Sequence, residues 1–517
     1  MKKITFYTLE ISDSAKEEIR EKYGRGKKVS ENIINLLNDI LNSHLQLGIK
    51  LYDYVPVPSK TYRAKIKDGN IKITELFGKY LDVRVNRDGT TFRKSRTKKR
   101  KLTKEKIIIH GIPKHYRFKP EFFRKHGIKI IKNEKNIQDI TKENLIITPK
   151  NKLENFTIKN LEKIELSIDL DSLKEQEIEK VFRPAALDKF NSNIRITENK
   201  VIGFNKSTEY DLTFDKKDLK LYEHFESKIG AYRIFNSLNI FKNKKKDAKQ
   251  SDFNHRLHHT LLELPKESLR FLRVDGEPLC EIDMKNSQPN LLLNLLVYNK
   301  PKIPATHYNL LKEYNIILQQ ITDKHKKVIT SFKNSHRYKK LLAAAHNGKF
   351  YEYIQEITEL VNNREEAKLI VMLILFSGFN SFNKYTTKWK DLFPRLFFFI
   401  REFKKGAYAH IMDKDPIFVP KYIRNKKNEY EASTSVLPVI LQKVEAFIFL
   451  DNIFSYLLKK DLYALPKHDS IVCKQSDFKT IYNIIIKILN TLLGINKYKL
   501  SYSKYNNNNI NNNNIAA

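Results

Sequence analysis

The chain has 517 residues, 41% of them hydrophobic, with 31 Phe and 26 Tyr. That length implies roughly three to four folded units, and the apolar content excludes a wholly disordered chain. Its 96 Lys and Arg against 59 Asp and Glu leave a formal charge of +37. AT-rich codons would raise Glu and Asp along with Lys, so the surplus points to a polyanionic partner, nucleic acid before any other. Cys280 and Cys473 are the only cysteines, which excludes a disulfide scaffold and fits a reducing, cytoplasmic setting.

In chain order, Met1-Lys2-Lys3 opens basic, but the apolar stretch from Ile4 to Asp13 is short and interrupted, so no signal peptide is expected. Ser30 to Gly48 reads as an amphipathic helix, with Ile33, Leu37, Ile40, Leu41 and Leu45 on one stripe and Gly48 to end it. Val83 to Phe92 alternates around Asp88-Gly89, a hairpin signal. The basic run from Arg93 to Lys106 follows, readable equally as a flexible loop or a phosphate-gripping arm. Residues 165–215 carry few landmarks, and a boundary is placed near 199–215.

Leu219 to Phe241 looks helical and leads into a second basic run, Lys242 to Lys246. Helical patterns dominate from Asn290 to Phe403, and another helix is expected from Ser435 to Lys459. The Asn tracts after residue 505 read as a disordered tail. The richest apolar runs, Leu369–Phe376 and Leu396–Ile400, fall well short of the ~20 residues of a spanning helix, so no membrane partner is expected. There is no internal repeat, no zinc-type Cys/His spacing and no Gly-rich phosphate loop, which argues against a P-loop motor.

Two segments share a form, an apolar strand that delivers an aspartate. Pro278 to Pro289 reads as a buried strand ending near Asp283, then a turn and a helix. Leu465 to Cys473 reads as a hairpin with His468-Asp469 at its tip. Two carboxylates on adjacent strand ends can share divalent cations, because Mg²⁺ favours a few carboxylates plus substrate phosphates. A pair of such ions activates a hydroxyl and stabilises a leaving oxygen. Between them, Arg364, Lys368 and Phe376 fall near one face of a helix, offering two cations to a triphosphate and a ring to a base. Taken singly, each aspartate reads as a turn or cap and Phe376 as core.

Taken together, Asp283, Arg364-x3-Lys368-x7-Phe376 and His468-Asp469 resemble motifs A, B and C of family A DNA polymerases and of the related single-subunit, phage-type RNA polymerases. The segment from Asp252 to Pro265 resembles the stretch of that family whose arginine grips the primer-side strand, and the likeness spans about Asp252 to Lys474. It implies that Asp283 and Asp469 ligate two Mg²⁺ (or Mn²⁺) ions, with the Met284 carbonyl as a further ligand. Lys368 and Arg364 would hold the incoming triphosphate, Phe376 would stack near the nascent pair, and Arg256, oriented by Asp252, would touch the duplex. His468 would approach the primer end and Gln442 the minor groove. Cys280 and Cys473 read as small buried packing residues.

The sequence also departs from the family pattern. DNA-making members carry Glu five residues after the motif A aspartate, where this chain has Gln288. RNA-making members use a small residue there and a tyrosine where Phe376 stands, so both positions lean towards deoxynucleotides. His468-Asp469-Ser470 instead resembles the RNA-polymerase form of motif C, and Ser377 stands where glycine is expected.

The fold expected is α+β, a right-hand polymerase with an antiparallel palm sheet, helical fingers and thumb, and a basic mixed α/β N-terminal domain. Its boundaries are 1–215 for the basic nucleic-acid-binding domain and 216–275 for thumb-like helices and palm entry. Palm (276–300), fingers (301–403), palm (404–504) and tail (505–517) follow. The activity expected is template-directed DNA synthesis on a primer-template from nucleoside triphosphates, without proofreading. Alternatives are an RNA polymerase or primase, a template-independent or protein-primed polymerase of a phage, mobile element or defence system, or an inactive polymerase-like binding protein.

Overall fold

The structure, a computed structural model, describes residues 3–23, 28–48, 50–51, 55–57, 81–83, 96–99, 106–109, 114–136, 149–191, 194–196, 201–203, 212–214, 216–252, 254–298, 317–319, 321–358, 364–376, 384–412, 436–505 and 512–513. They fall into two compact units. The first comprises Met1–Asn144, Ile168–Lys244 and Leu264–Ser268, and the second Leu145–Ser167, Lys245–Glu263 and Leu269–Ala517.

In the first unit the Lys3–Ile11 strand pairs antiparallel with Ile128–Asn136 along its whole length. Its other edge would expose unpaired backbone groups, and helix asparagines satisfy them instead. Asn42 accepts from Leu9 N at 2.8 Å and donates to Leu9 O at 2.7 Å. Asn236 does the same for Tyr7, both at 2.8 Å, while Asn38 and Asn239 serve Ile11 and Thr5. The Lys28–Leu47 helix carries two of these residues and ends at Gly48, whose φ of 63° suits a glycine.

Several expectations change in this unit. The barren stretch 165–215 holds a 17-residue helix, Glu175–Asn191, that buries Ile178, Phe182, Ala185, Ala186 and Phe190. The apolar spacing was there to read, but Pro184 inside it argues locally against a helix. A three-stranded sheet of Ile194–Ile196, Val201–Gly203 and Leu212–Phe214 follows. The expected thumb helix, Lys216–Asn243, belongs to this unit and packs on Glu175–Asn191 and on the Lys3–Ile11 strand. A Cβ at Gly230 would lie 2.5 Å from the Ala186 Cβ, so glycine permits that close approach. Within the basic run, Arg96–Lys99 is a strand paired with Lys106–Ile109 rather than a loop. Of the expected 83–92 hairpin, Leu81–Val83 is a strand paired with Lys114–Phe118, and residues 84–92 lie outside the described residues.

The second unit is built on one antiparallel sheet. Glu277–Met284 is its central strand, with Ser470–Lys474 and then Ala464–Lys467 on one side, and Leu272–Val274 and Leu500–Lys504 on the other. Asp275-Gly276, both at positive φ (52° and 74°), close the tight turn into it. Ile164–Leu166 pairs with Leu272–Val274, so residues 145–167 belong here and not to the N-terminal unit. Asn160 donates to Ala464 O at 2.8 Å and covers the hairpin edge.

Helices Ser287–Tyr298, Thr322–Asn334, His336–His346, Phe350–Thr358, Arg364–Phe376, Lys384–Leu392 and Pro394–Met412 supply the expected helical region. Val436–Ala446 continues through a π-helical stretch, Phe447–Phe454, into Ser455–Lys459. This matches the long helix read from sequence, and π segments recur near functional sites. Of the expected 505–517 tail, only 505 and 512–513 lie among the described residues, and both are structured. Tyr505 is buried at 1% exposure, and Asn512–Asn513 pairs with Leu500–Lys504. Among the described residues no helix is long and apolar enough to cross a membrane.

Candidate functional site

Asp283 sits one residue from the end of the central strand, directly opposite Ser470, and Met284 N donates to Asp469 O at 3.1 Å. Residues opposite each other in an antiparallel pair have Cα atoms about 4.5–5.5 Å apart. The two aspartates, far apart in sequence, therefore stand on adjoining strand ends. Asp469 holds the second position of a two-residue turn entered through His468, whose φ of 60° is unusual for a bulky side chain. Cys280 and Cys473 pair on the same two strands, wholly buried with sulfurs 3.5 Å apart, as packing residues.

Asp469 keeps partial solvent access yet is densely surrounded by protein. Burial, then Glu445 and more weakly Glu281, push its carboxyl up to about 7. Arg256 opposes these effects. Among the described residues no group of three or more His, Cys, Asp or Glu side chains would hold a metal unaided. Mg²⁺ needs only one or two carboxylates when water and phosphates complete its shell. The donor set fits Mg²⁺ or Mn²⁺ at Asp283 and Asp469.

Glu445, which the sequence reading passed over, organises one flank. It is fully buried and accepts from Arg256 Nε at 2.8 Å, Gln288 Nε2 at 2.8 Å and Ser287 Oγ at 3.1 Å. Burial raises its carboxyl, and Arg256 leads the groups that pull it back. Asp252 was expected to orient Arg256 from one helical turn away, but residues 251, 252 and 254–256 are not helical, and Arg256 pairs with Glu445. Gln442, one turn before Glu445, accepts from Asn254 at 3.2 Å, so one helix face holds both Asn254 and Arg256.

Arg364 starts its helix with Nε donating to Glu352 at 2.9 Å and its guanidinium 5.1 Å from the Tyr351 ring centroid. Lys368, one turn on, is exposed. Lys285 follows Asp283 by two residues. Burial lowers its ammonium, and Glu352, Arg364, Lys499 and Asp283 all act on it. Phe376 closes the helix, and Ser377 lies outside the described residues. Lys404 donates to Ile374 O at 2.7 Å, with burial lowering its ammonium to about 7.

The His468 and His258 rings lie 5.9 Å apart, and burial drops His468 to about 4. His259 donates from Nε2 to Pro466 O at 2.6 Å and is held near 4, again chiefly by burial. Unfolded histidine titrates near 6.5. As pH falls from about 6.5 to 4 the unfolded chain therefore takes up a proton that folded His259 refuses, and stability falls. Denaturant unfolding at pH 7, 5.5 and 4.5 should follow that slope, and His259→Gln should make it shallower without abolishing it, because burial also holds His468 and His346 near 4.

No family model and no curated protein matches the chain. Among solved structures it is similar to the POL domain of Pol1 from M. smegmatis, in complex with DNA primer-template and dNTP, at 12% identity and a TM-score of 0.30. The match covers 67% of this chain and 66% of that one, just under two thirds of its length. A likeness that loose carries no argument about fold or chemistry.

Proposed function

We propose that the chain is a nucleotidyltransferase that extends a nucleic-acid 3′-hydroxyl by phosphoryl transfer. Its most direct form is a template-directed DNA polymerase of family A type without proofreading. The observation that carries this reading is the strand register that sets Asp283 beside the Asp469 turn. Arg256, held by Glu445 on the helix that precedes the hairpin, supports it.

In this mechanism Asp283 and Asp469 would hold the ions, with the Met284 carbonyl as a further ligand. Two bound Mg²⁺ ions would supply activation of the 3′-hydroxyl and stabilisation of the leaving oxygen. Arg364 and Lys368 bind the triphosphate, and positioning plus charge stabilisation supply most of the rate. Phe376 stacks near the nascent pair, and Gln442 reaches the minor groove. His468 is neutral at physiological pH and meets the primer end through packing and hydrogen bonding. Arg256, anchored to Glu445 through Nε and Nη2, keeps its Nη1 for the nucleic-acid strand.

Ser470 in motif C favours a second reading, RNA synthesis. Purified protein given a primer-template, Mg²⁺ and either dNTPs or rNTPs decides between the two, and no incorporation from either would refute both.

The +37 charge predicts strongly salt-dependent binding. The logarithm of affinity should fall linearly with the logarithm of salt, by about 0.9 per phosphate contacted on duplex. An affinity flat between 50 and 200 mM salt, the range of about 10³–10⁵-fold loss for 6–10 contacts, would remove the electrostatic argument.

A further inference from the structure

Glu281 lies two residues before Asp283 and so on the same face of the central strand. It is 8% exposed, and three donors from outside its strand converge on it. Lys467 Nζ approaches at 3.1 Å, and the Ser470 hydroxyl and the Tyr505 hydroxyl complete the set. Lys467 and Ser470 are the register pair that closes the His468-Asp469 turn. Ser470 Oγ also lies 3.0 Å from Lys467 O, across the mouth of the turn. Tyr505 arrives just after Leu500–Lys504, which pairs with the opposite edge of the same strand. One buried carboxylate thus grips both ends of the turn that presents Asp469 and anchors the C-terminal strand.

From this geometry we infer that Glu281 is a positioning residue for the Asp469 turn, fixing it for divalent-ion binding. Stability alone is a weak reason to keep such a group, because a buried ion pair is often replaced by apolar residues without loss. Direction is what an apolar residue cannot supply. The turn passes through His468 at φ 60°, a conformation that persists only where its surroundings over-determine it. Ser501 Oγ, 3.4 Å from Asp283 Oδ2, extends the same support to the other aspartate. The inference rests on the proposed two-aspartate ion site, and its test separates the two.

The test uses the full chain and the variants Glu281→Gln, Ser470→Ala and Tyr505→Phe. Glu281→Gln keeps the shape but removes the charge and one acceptor. Ser470→Ala and Tyr505→Phe each remove one donor and carry the test if Glu281→Gln does not fold. Without metal, hydrogen exchange of the amides from 467 to 474 should accelerate in Glu281→Gln, while the Leu272–Val274 strand is unaffected. The Mn²⁺ dissociation constant and the half-saturating Mg²⁺ for extension should rise about 10- to 100-fold, as for residues that orient metal ligands. The rate at saturating metal should change far less. Smaller shifts in the same direction are expected from Ser470→Ala and Tyr505→Phe. Lower melting temperatures with unchanged exchange and unchanged metal dependence would overturn the inference. If the wild type neither extends a primer nor binds Mn²⁺ through Asp283 and Asp469, the function reading falls. The positioning of the turn is then judged by exchange at 467–474 alone, where no acceleration refutes it.

Discussion

Asp469→Ala should abolish nucleotide addition, lowering the single-turnover rate by at least ~10³-fold, which is about 4 kcal/mol at 1.36 per tenfold. Asp283→Ala should do the same. Each removes one of two carboxylates on adjoining strand ends, and neither Glu281 nor Glu445 can stand in, because each is committed to three protein donors. The loss should be confined to chemistry. Arg256, Arg364 and Lys368 stay in place, so binding to a primer-template should be retained. Folding should be retained too, since removing Asp469 relieves its repulsion with Glu445 and Glu281. Fluorescence anisotropy with labelled duplex and a thermal melt, run beside single-turnover extension, check all three. Retained extension by purified Asp469→Ala would count decisively against the assignment.

Glu445→Leu should be the most destabilising change in the second unit, at about 3–5 kcal/mol, the cost of stranding one partner of a buried ion pair. Arg256 is only 18% exposed at its side chain and would lose its partner, while Gln288 and Ser287 would lose their acceptor. Arg256→Leu leaves the complementary orphan, a wholly buried carboxylate with only the Gln288 and Ser287 donors. The double variant Glu445→Leu/Arg256→Leu should recover part of the loss, because an apolar pair can replace a buried ionic one. Urea unfolding of the four proteins measures the coupling. Strict additivity would mean that the pair is not the energetic unit its geometry describes.

The elements of the site that were legible in the sequence were local. The strand ending at Asp283, the hairpin tip at His468-Asp469 and the helix opening at Arg364 each carry a periodic apolar pattern with a turn signal at one end. The residues that support them carry no such mark. Glu445 looks like any acidic residue on an apolar helix until the fold brings Arg256 and Gln288 against it. Glu281 sits inside the motif strand, yet its importance depends on Lys467, Ser470 and Tyr505, more than 180 positions away. Composition misled at the C-terminus, where the Asn tracts drew Tyr505 into the tail although its ring is buried. In the N-terminal unit, asparagines on two helices complete a strand edge, and asparagine carries no strong periodic signal. Long-range polar satisfaction, unlike amphipathic periodicity, leaves almost no trace in local sequence.

The most direct test of the two-carboxylate site is a crystal of the full chain with primer-template, incoming nucleotide and Mn²⁺, examined at the manganese absorption edge. The account predicts two anomalous peaks about 3.5–4 Å apart, bridged by Asp283 and Asp469 and touching the nucleotide phosphates. Manganese bound elsewhere, with either aspartate turned away from the ion and the nucleotide, would contradict it.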